Sequence, residues 1–291
     1  MVDLHTHSTA SDGSLSPAAL IQEAARLDIS AIALTDHDSI KGLGYARNEA
    51  KQWGIRFIPG IEIEINYSGR GQFHLLGLGI RKPSPAFIGA VEKLSRLREE
   101  RNLEILERMR GMGIEAGMEE LEELARGPNR EGEEPAPSVG RPHFASLLIK
   151  RGIVRNQELA FARYLGLGKP LYVPKPGLDF DQAQALIRDS AGLPILAHPM
   201  SLYLSWSRLP VFLADLKDQG LAGIEAWHPA AKLQECRRLE ATARKLELYV
   251  TAGSDFHGTV RPGRRLGHSC EGRKIDEAIL EAVPELMDGT E

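Results

Sequence analysis

The chain has 291 residues, with 36 Lys and Arg against 40 Asp and Glu and a formal net charge of −4. A hydrophobic share of 42% beside 26% charged residues excludes a disordered chain and is ordinary for a protein that buries a core. No run of about 18 apolar residues is present, which excludes a membrane-spanning helix, and the mildly acidic balance argues against wholesale wrapping of duplex DNA. The two Cys, Cys236 and Cys270, cannot build a disulfide framework, and Met1 to His5 lacks the basic and apolar regions of a secretion signal. A cytoplasmic location is therefore expected.

Val2-Asp3-Leu4 starts the chain as a short apolar strand. Ser16 and Pro17 then open a helix as N-cap and first helical residue, with Leu20, Ile21, Ala24, Ala25 and Leu27 on one face. Ala31 to Leu34 reads as a buried strand, Gly42 to Trp53 as a helix, and Arg56 to Glu62 as a third strand. Apolar strands separated by single helices predict a parallel sheet covered on both faces. Alternation over Ile61 to Ile65 and Phe73 to Ile80, around Ser68-Gly69-Arg70-Gly71, predicts an added hairpin. A charged helix follows over Lys93 to Arg110, with a stripe of Leu94, Leu97, Leu103, Leu106 and Met109. Arg98, Arg101 and Arg108 read as its solvated face, with Glu104 and Arg108 at supporting spacing and a substrate role as the alternative. After an acidic stretch and a Gly/Pro-rich turn over Gly127 to Pro137, more helical sequence runs to Gly168. The strand-helix rhythm resumes with strands over Leu193 to Ala197, Gly223 to Trp227 and Leu248 to Gly253, and helices over Asp181 to Asp189 and Ala231 to Leu246. The expected organisation is an α/β barrel from 1–92 and 171–291, interrupted by a helical insertion over 93–170 that packs across the barrel mouth.

The histidines follow this pattern. His5 and His7 end the first strand, His37 the second, His198 and His228 two later ones, and Asp255 and His257 the last; His74 sits on the hairpin beside Glu62. In a parallel α/β barrel the C-terminal ends of the strands are where chemistry is assembled. His5-Thr6-His7 turns both imidazoles to one side at period two, so they can share a metal. A His-x-His pair is also common as ordinary polar sequence, but Asp255-Phe256-His257 at the last strand reinforces it. Carboxylates flank His37 in Thr35-Asp36-His37-Asp38, an expensive place for charge unless cations are present. Glu62 is a metal candidate, whereas Glu64 reads as exposed ribbon. His268 reads as structural or solvent-facing. No Cys lies near the cluster, which leaves a thiol nucleophile unsupported.

Together, Val2-Asp3-Leu4-His5-Thr6-His7-Ser8, Asp12-Gly13, Leu34-Thr35-Asp36-His37-Asp38, Gly60-Ile61-Glu62, Ala197-His198-Pro199 and Gly253-Ser254-Asp255-Phe256-His257 resemble the PHP (polymerase and histidinol phosphatase) superfamily. The resemblance implies a distorted (β/α)7 barrel, with the helical insertion over its C-terminal face, and a trinuclear metal centre. It implies a first metal on His5, His7, Glu62 and Asp255, a second on Glu62, His74 and His198, and a third on Asp12, His37 and His257. Asp12 stands where a His is often found, which adds negative charge and favours a harder ion. Six imidazoles and three carboxylates without thiolate suit manganese, the first expectation, or iron or zinc. Three divalent ions would outweigh the three carboxylates and leave the site attractive to an anion. The activity implied is phosphoester hydrolysis by a metal-bridging hydroxide.

Ser138-Val139-Gly140-Arg141-Pro142-His143 resembles a bacterial subgroup that removes the 3′-phosphate of 3′,5′-bisphosphonucleotides such as adenosine 3′,5′-bisphosphate, to leave a nucleoside 5′-monophosphate. Arg141 is the expected phosphate grip, with Lys175 and His143 as further substrate residues; a capping role for His143 is equally compatible with Gly140-Arg141-Pro142-His143. His228, outside the nine ligands, is the candidate to bind phosphate or protonate the leaving oxygen, with a supporting hydrogen bond as its alternative. Competing readings are 5′-to-3′ exonuclease action on short RNA, histidinol-phosphate hydrolysis, amidohydrolase-type C–N hydrolysis, and a metal-binding module without activity. The C–N reading lacks a convincing strand-end Lys, and the inactive module is at odds with nine expected ligands. The expected partner is a small phosphorylated nucleotide or short RNA, with no membrane.

Overall fold

The structure is a computed structural model that describes residues 1–126, 137–174 and 177–287. Most of the Gly/Pro-rich turn and the candidate Lys175 lie outside the described residues. The chain begins with β1 (Val2–Asp3), α1 (Pro17–Arg26), β2 (Ala31–Leu34), α2 (Leu43–Trp53) and β3 (Arg56–Ile65). As the sequence predicts, Ser16 Oγ caps α1 by accepting from the Ala19 N–H, and Pro17 stands at its start, where no hydrogen bond is lost. β1, β2 and β3 pair in parallel.

β4 (Phe73–Leu78) forms the expected hairpin with β3 but is not an addition to the barrel. It is a full member of the sheet, antiparallel to β3 on one side and to β5 (Leu193–Leu196) on the other. A short connection forces the reversal, because a parallel return needs a crossover of a dozen residues or more. β6 (Gly223–Trp227) and β7 (Tyr249–Ala252) restore parallel pairing, which gives a seven-stranded sheet in chain order. Leu4 N–H donates to Ala252 O at 3.2 Å and Asp255 N–H to His5 O at 2.9 Å, so the two ends of the sheet meet and the barrel nearly closes. Along β3, Ile61, Ile63 and Ile65 enter the core beneath the helices, which turns Glu62 and Glu64 to the opposite face.

α3 (Pro85–Gly111) begins earlier than its charge pattern suggests, because Ser84 caps it and Pro85 opens it. Its first turns place Phe87, Val91 and Leu94 in the barrel core, and its last turns place Ile105, Leu106 and Met109 in a separate core. Residue 93 therefore lies within one continuous helix. The second core continues through α4 (Met118–Arg126) and α5 (Arg141–Lys150) to Val173. α6 (Gln157–Ala160) completes this helical region, and α7 (Phe180–Asp189) returns the chain to the barrel.

The buried face of α3 also differs from expectation. Leu103 is 58% exposed, while Arg98, Arg101 and Asn102 are buried. The solvated reading survives only at Arg108, which pairs with Glu104 at 2.6 Å. Long side chains with hydrocarbon stems can take an inner position where polar partners wait. α8 (Leu209–Asp218) covers a stretch to which the sequence pattern assigns no helix, and α9 (Leu233–Lys245) lies close to its predicted span. Among the described residues no helix is long and apolar enough to cross a membrane.

Candidate metal centre

The strand ends bring the nine predicted ligands into one buried cluster. Glu62 lies at its middle. Its Oε2 is 3.4 Å from His5 Nε2, 3.2 Å from His7 Nε2 and 3.0 Å from His37 Nδ1. Its Oε1 is 2.8 Å from His74 Nδ1 and 2.9 Å from His198 Nε2. Asp255 Oδ1 is 3.4 Å from His7 Nε2 and 3.7 Å from His5 Nε2. Asp12 Oδ1 approaches His257 Nε2 at 3.3 Å and His7 Nδ1 at 3.9 Å, so this residue joins the cluster.

Three overlapping sets have donor atoms within 4.8 Å of one another: His5, His7 and Asp255; His37, Glu62 and His74; and His7, Asp12, His37 and His257. Asp12 Oδ1, Glu62 Oε2, His37 Nδ1 and His257 Nε2 are buried yet form no hydrogen bond among the described residues. Buried polar atoms are rarely left this way. Four such atoms converging with imidazole and carboxylate donors fit divalent metal ions.

The protein prepares these ligands through neighbouring groups. His5 Nδ1 meets Glu225 Oε1 at 3.0 Å, and the other Glu225 oxygen accepts from the His198 N–H at 2.8 Å. With its Nδ1 proton held by a carboxylate, His5 is left to coordinate through Nε2. Burial would raise the Glu225 pKa, but the charges of His5 and His228 and the His5 hydrogen bond draw it down to about 2. Asp36 accepts from the Ser8 N–H at 2.7 Å and the Ser11 hydroxyl at 2.6 Å, which fixes the loop that delivers Asp12. Arg98 donates to His37 O at 2.8 Å and to Asp38 Oδ2 at 2.7 Å. Glu225 and Arg98 are supports that the ligand pattern did not reveal. The available signal for Glu225 was a carboxylate inside an otherwise apolar strand.

Charge balance in the metal-free cluster is carried by protons. Burial opposes protonation of His7 and His74, yet the facing carboxylates raise them to about 9 and about 10. Glu62 would be raised by burial, but His37, His74 and His5 hold it well below the usual carboxylate range. At His37 burial prevails over Glu62 and Asp12, and its pKa falls to about 3.

Of the proposed substrate residues, His228 lies against a predicted ligand, its Nε2 3.4 Å from Asp255 Oδ2. His143 Nδ1 accepts from the Gly140 N–H at 2.9 Å and so caps α5. Arg141 lies over the Phe161 ring at 5.9 Å. His228 lines a cavity of about 470 Å3 that opens onto His37, Glu62, His74, His198 and Asp255. His268 Nδ1 donates to Leu266 O at 2.9 Å, outside the cluster, in keeping with a structural role.

The nearly closed seven-stranded barrel with clustered imidazole and carboxylate donors at its strand ends fits the class of metal-dependent hydrolases. Comparison with known proteins narrows the class. The PHP domain model matches residues 3–125. A 5′-3′ exoribonuclease of Haemophilus influenzae is 34% identical over 267 residues, 91% of this chain and 93% of the relative. A 3′,5′-nucleoside bisphosphate phosphatase of Chromobacterium violaceum is 33% identical over 268 residues, 92% of this chain and 91% of the relative. A crystal structure from Bifidobacterium adolescentis, assigned as a metal-dependent phosphoesterase, has a TM-score of 0.82 at 25% identity and covers 100% of this chain and 96% of that one. The chain belongs to the PHP family and is a metal-dependent phosphoesterase.

Proposed function

We propose that the chain hydrolyses the 3′-phosphate of 3′,5′-bisphosphonucleotides to give a nucleoside 5′-monophosphate and phosphate. The observation that carries this reading is a second cationic place beside the metal cluster. Arg101 is buried, its Nε has no hydrogen-bond partner, and its Nη2 reaches only the neutral Asn102 Oδ1 at 3.2 Å. Burial, with Arg98 and Arg141 nearby, pushes its pKa down to about 9. Arg98 is already paired with Asp38, which leaves Arg101 and Arg141 to favour an anion here. The loop is tied to the metal site through the Ser138 N–H to Thr9 O bond at 3.0 Å. A nucleotide with one phosphate at the metals and a second at Arg141 and Arg101 uses both places. Lys175 is a further candidate for that second phosphate, and His143 has only Nε2 left to offer. The C. violaceum relative supports the same substrate class.

The nine-ligand set would hold three divalent ions, manganese before iron or zinc, in the grouping expected from the resemblance. When bound, such ions activate water and neutralise phosphoryl charge. The chain's own contribution is orientation and proton supply. His228 Nδ1 accepts from the Ala230 N–H at 3.2 Å, which places the ring proton on Nε2, at the cavity. There Nε2 lies 3.4 Å from Asp255 Oδ2 and can turn its donation to a phosphate or leaving oxygen. Met200, Ala231 and Leu239 supply apolar lining for a ribose or base.

The H. influenzae relative favours a second reading, in which the same two anionic places receive the 5′ end of a short RNA. A turnover panel on metal-reconstituted protein tests both, using a 3′,5′-bisphosphonucleotide, short 5′-phosphorylated RNA, histidinol phosphate and a cyclic amide. Selective release of 3′-phosphate supports the proposal. Comparable rates on all phosphoesters, or hydrolysis of the amide alone, overturn it.

A further inference from the structure

The segment after the last metal-site motif carries two arginines that the ligand pattern leaves unused, Arg261 and Arg264. The segment is anchored at both ends. The Thr259 N–H donates to Ser14 Oγ at 2.9 Å, and the Gly267 N–H donates to Asp3 Oδ2 at 2.7 Å. Gly258 turns the chain at φ +64, where an added Cβ would sit 2.0 Å from Ser14 Oγ. Both arginines line the same cavity as His198, His228 and Asp255.

Their surroundings differ. Arg261 Nη1 donates to Asp255 Oδ2 at 2.7 Å, while the other oxygen of that carboxylate faces His5 and His7. Arg261 thus holds the outer oxygen and leaves the inner one for a metal. Arg264 Nη2 stands 3.7 Å from the same Oδ2, beyond hydrogen-bond distance. Its Nη1 is 3.4 Å from His228 Nε2. That nitrogen cannot accept, because the Ala230 N–H occupies Nδ1 and the ring proton is therefore on Nε2. Arg264, only 18% exposed at its side chain, therefore has no side-chain hydrogen bond of its own to a carboxylate among the described residues, only the looser ion pair with Asp255 Oδ2, the same oxygen that lies 3.4 Å from His228 Nε2.

We propose that Arg264 and the His228 Nε2–H together bind the non-bridging oxygens of the phosphoryl group presented to the metal centre. The ligand class is a phosphate monoester dianion or its product, inorganic phosphate. A planar guanidinium beside a fixed N–H suits two oxygens of one tetrahedral group. The same donors face charge that develops during phosphoryl transfer. Arg264 touches substrate in this scheme, whereas Arg261 is a positioning residue that acts through Asp255.

The inference rests on the phosphoesterase reading but not on the choice of nucleotide, and its test separates the two. Inorganic phosphate is titrated calorimetrically into metal-loaded wild type, Arg264→Met, Arg264→Lys and Arg261→Met, with metal per chain measured for each. Arg264→Met is expected to weaken phosphate binding about 10–100-fold with metal content unchanged, since a hydrogen bond to a charged group is lost. Arg264→Lys recovers part of the affinity, and Arg261→Met lowers metal content instead. Unchanged phosphate affinity in Arg264→Met overturns the proposal, as does a loss that follows loss of metal, or failure of metal-loaded wild type to bind phosphate. A chain that binds phosphate through Arg264 yet leaves bisphosphonucleotides intact refutes the substrate assignment alone.

Discussion

Glu225 offers the most direct test of how the barrel prepares its ligands. It is fully buried, and its two oxygens serve two ligands, the His5 ring at 3.0 Å and the His198 backbone N–H at 2.8 Å. Glu225→Gln preserves volume and can still accept from one of them, but its amide NH2 then opposes the other donor. Glu225→Ala abandons both. Loss of a group that orients a metal-bound histidine typically weakens metal affinity about 10–100-fold, or roughly 1–3 kcal/mol. Competition against a chromophoric chelator should rank affinity as wild type, then Gln, then Ala, and added metal should bring turnover back toward wild type. The acid side of the stability curve gives a second reading on chelator-treated protein. Glu225 falls from 4.5 to about 2 on folding, so it contributes stability present above pH 4.5 and lost as pH drops toward 2, about 3 kcal/mol shared with the imidazoles it faces. The difference in unfolding free energy between wild type and Glu225→Gln should therefore shrink across that window. Metal affinity in Glu225→Ala equal to wild type would refute the reasoning.

Other perturbations probe the rest of the assembly. Gly253 lies where β7 meets β1, and an added Cβ would be 2.2 Å from His5 Cβ and 2.7 Å from Glu225 Oε1. Gly253→Ala should cost about 1–3 kcal/mol through overpacking and reduce bound metal; an unaltered melt and metal content would sink this account. Arg98→Met removes charged hydrogen bonds to the His37 carbonyl and Asp38, for an expected loss of roughly 1–3 kcal/mol in urea unfolding. Asp38→Asn in the same chain should recover part of it. In metal-free protein, His7 and His74 are raised to about 9 and about 10. Their contribution to stability is full below pH 6.5 and lost as pH rises through those values. Metal binding at pH 8 should release protons, seen as an enthalpy that changes with the buffer's ionisation heat; a buffer-independent enthalpy would contradict it.

The gathering of the cluster residues was legible because strand ends mark themselves. An apolar run that stops at a His or a carboxylate identifies both a residue and a face, and His5, His37, His198 and Asp255 all follow that rule. The hairpin of β3 and β4 was readable from its alternation and turn, but its membership of the barrel was not, because alternation does not report that β4 also pairs with β5. Arg98 and Arg101 misled, since helical spacing places them beside acidic surface residues while tertiary packing turns them inward onto Asp38 and Asn102. Arg264 carries no local signal at all: its meaning comes from the His228 tautomer, which is set by a backbone N–H two residues further along the chain. Position relative to a motif was readable in the sequence, but the partners that satisfy or fail to satisfy a side chain were not.

The buried carboxylates leave this end of the barrel with negative charge to balance. Every buried carboxylate among the described residues belongs to this end of the barrel: Asp3, Asp12, Asp36, Asp38, Glu62, Glu225 and Asp255. Among the described residues, Arg98 pairs with Asp38 as a buried fixed counter-charge and the partly buried Arg261 and Arg264 face Asp255 at the rim, while the buried Arg101 reaches the neutral Asn102. The remaining negative charge has to be met by protons on imidazoles or by divalent ions, because unpaired buried charge is costly. Protons meet it poorly above neutral pH, where His7 and His74 begin to lose them, and His37 is held neutral by burial throughout. Metal loading should therefore raise the melting temperature, and by more at pH 9 than at pH 6.5, because the ions replace a charge that protons can no longer supply. An equal rise at both pH values would mean that the imidazole protons do not balance these carboxylates.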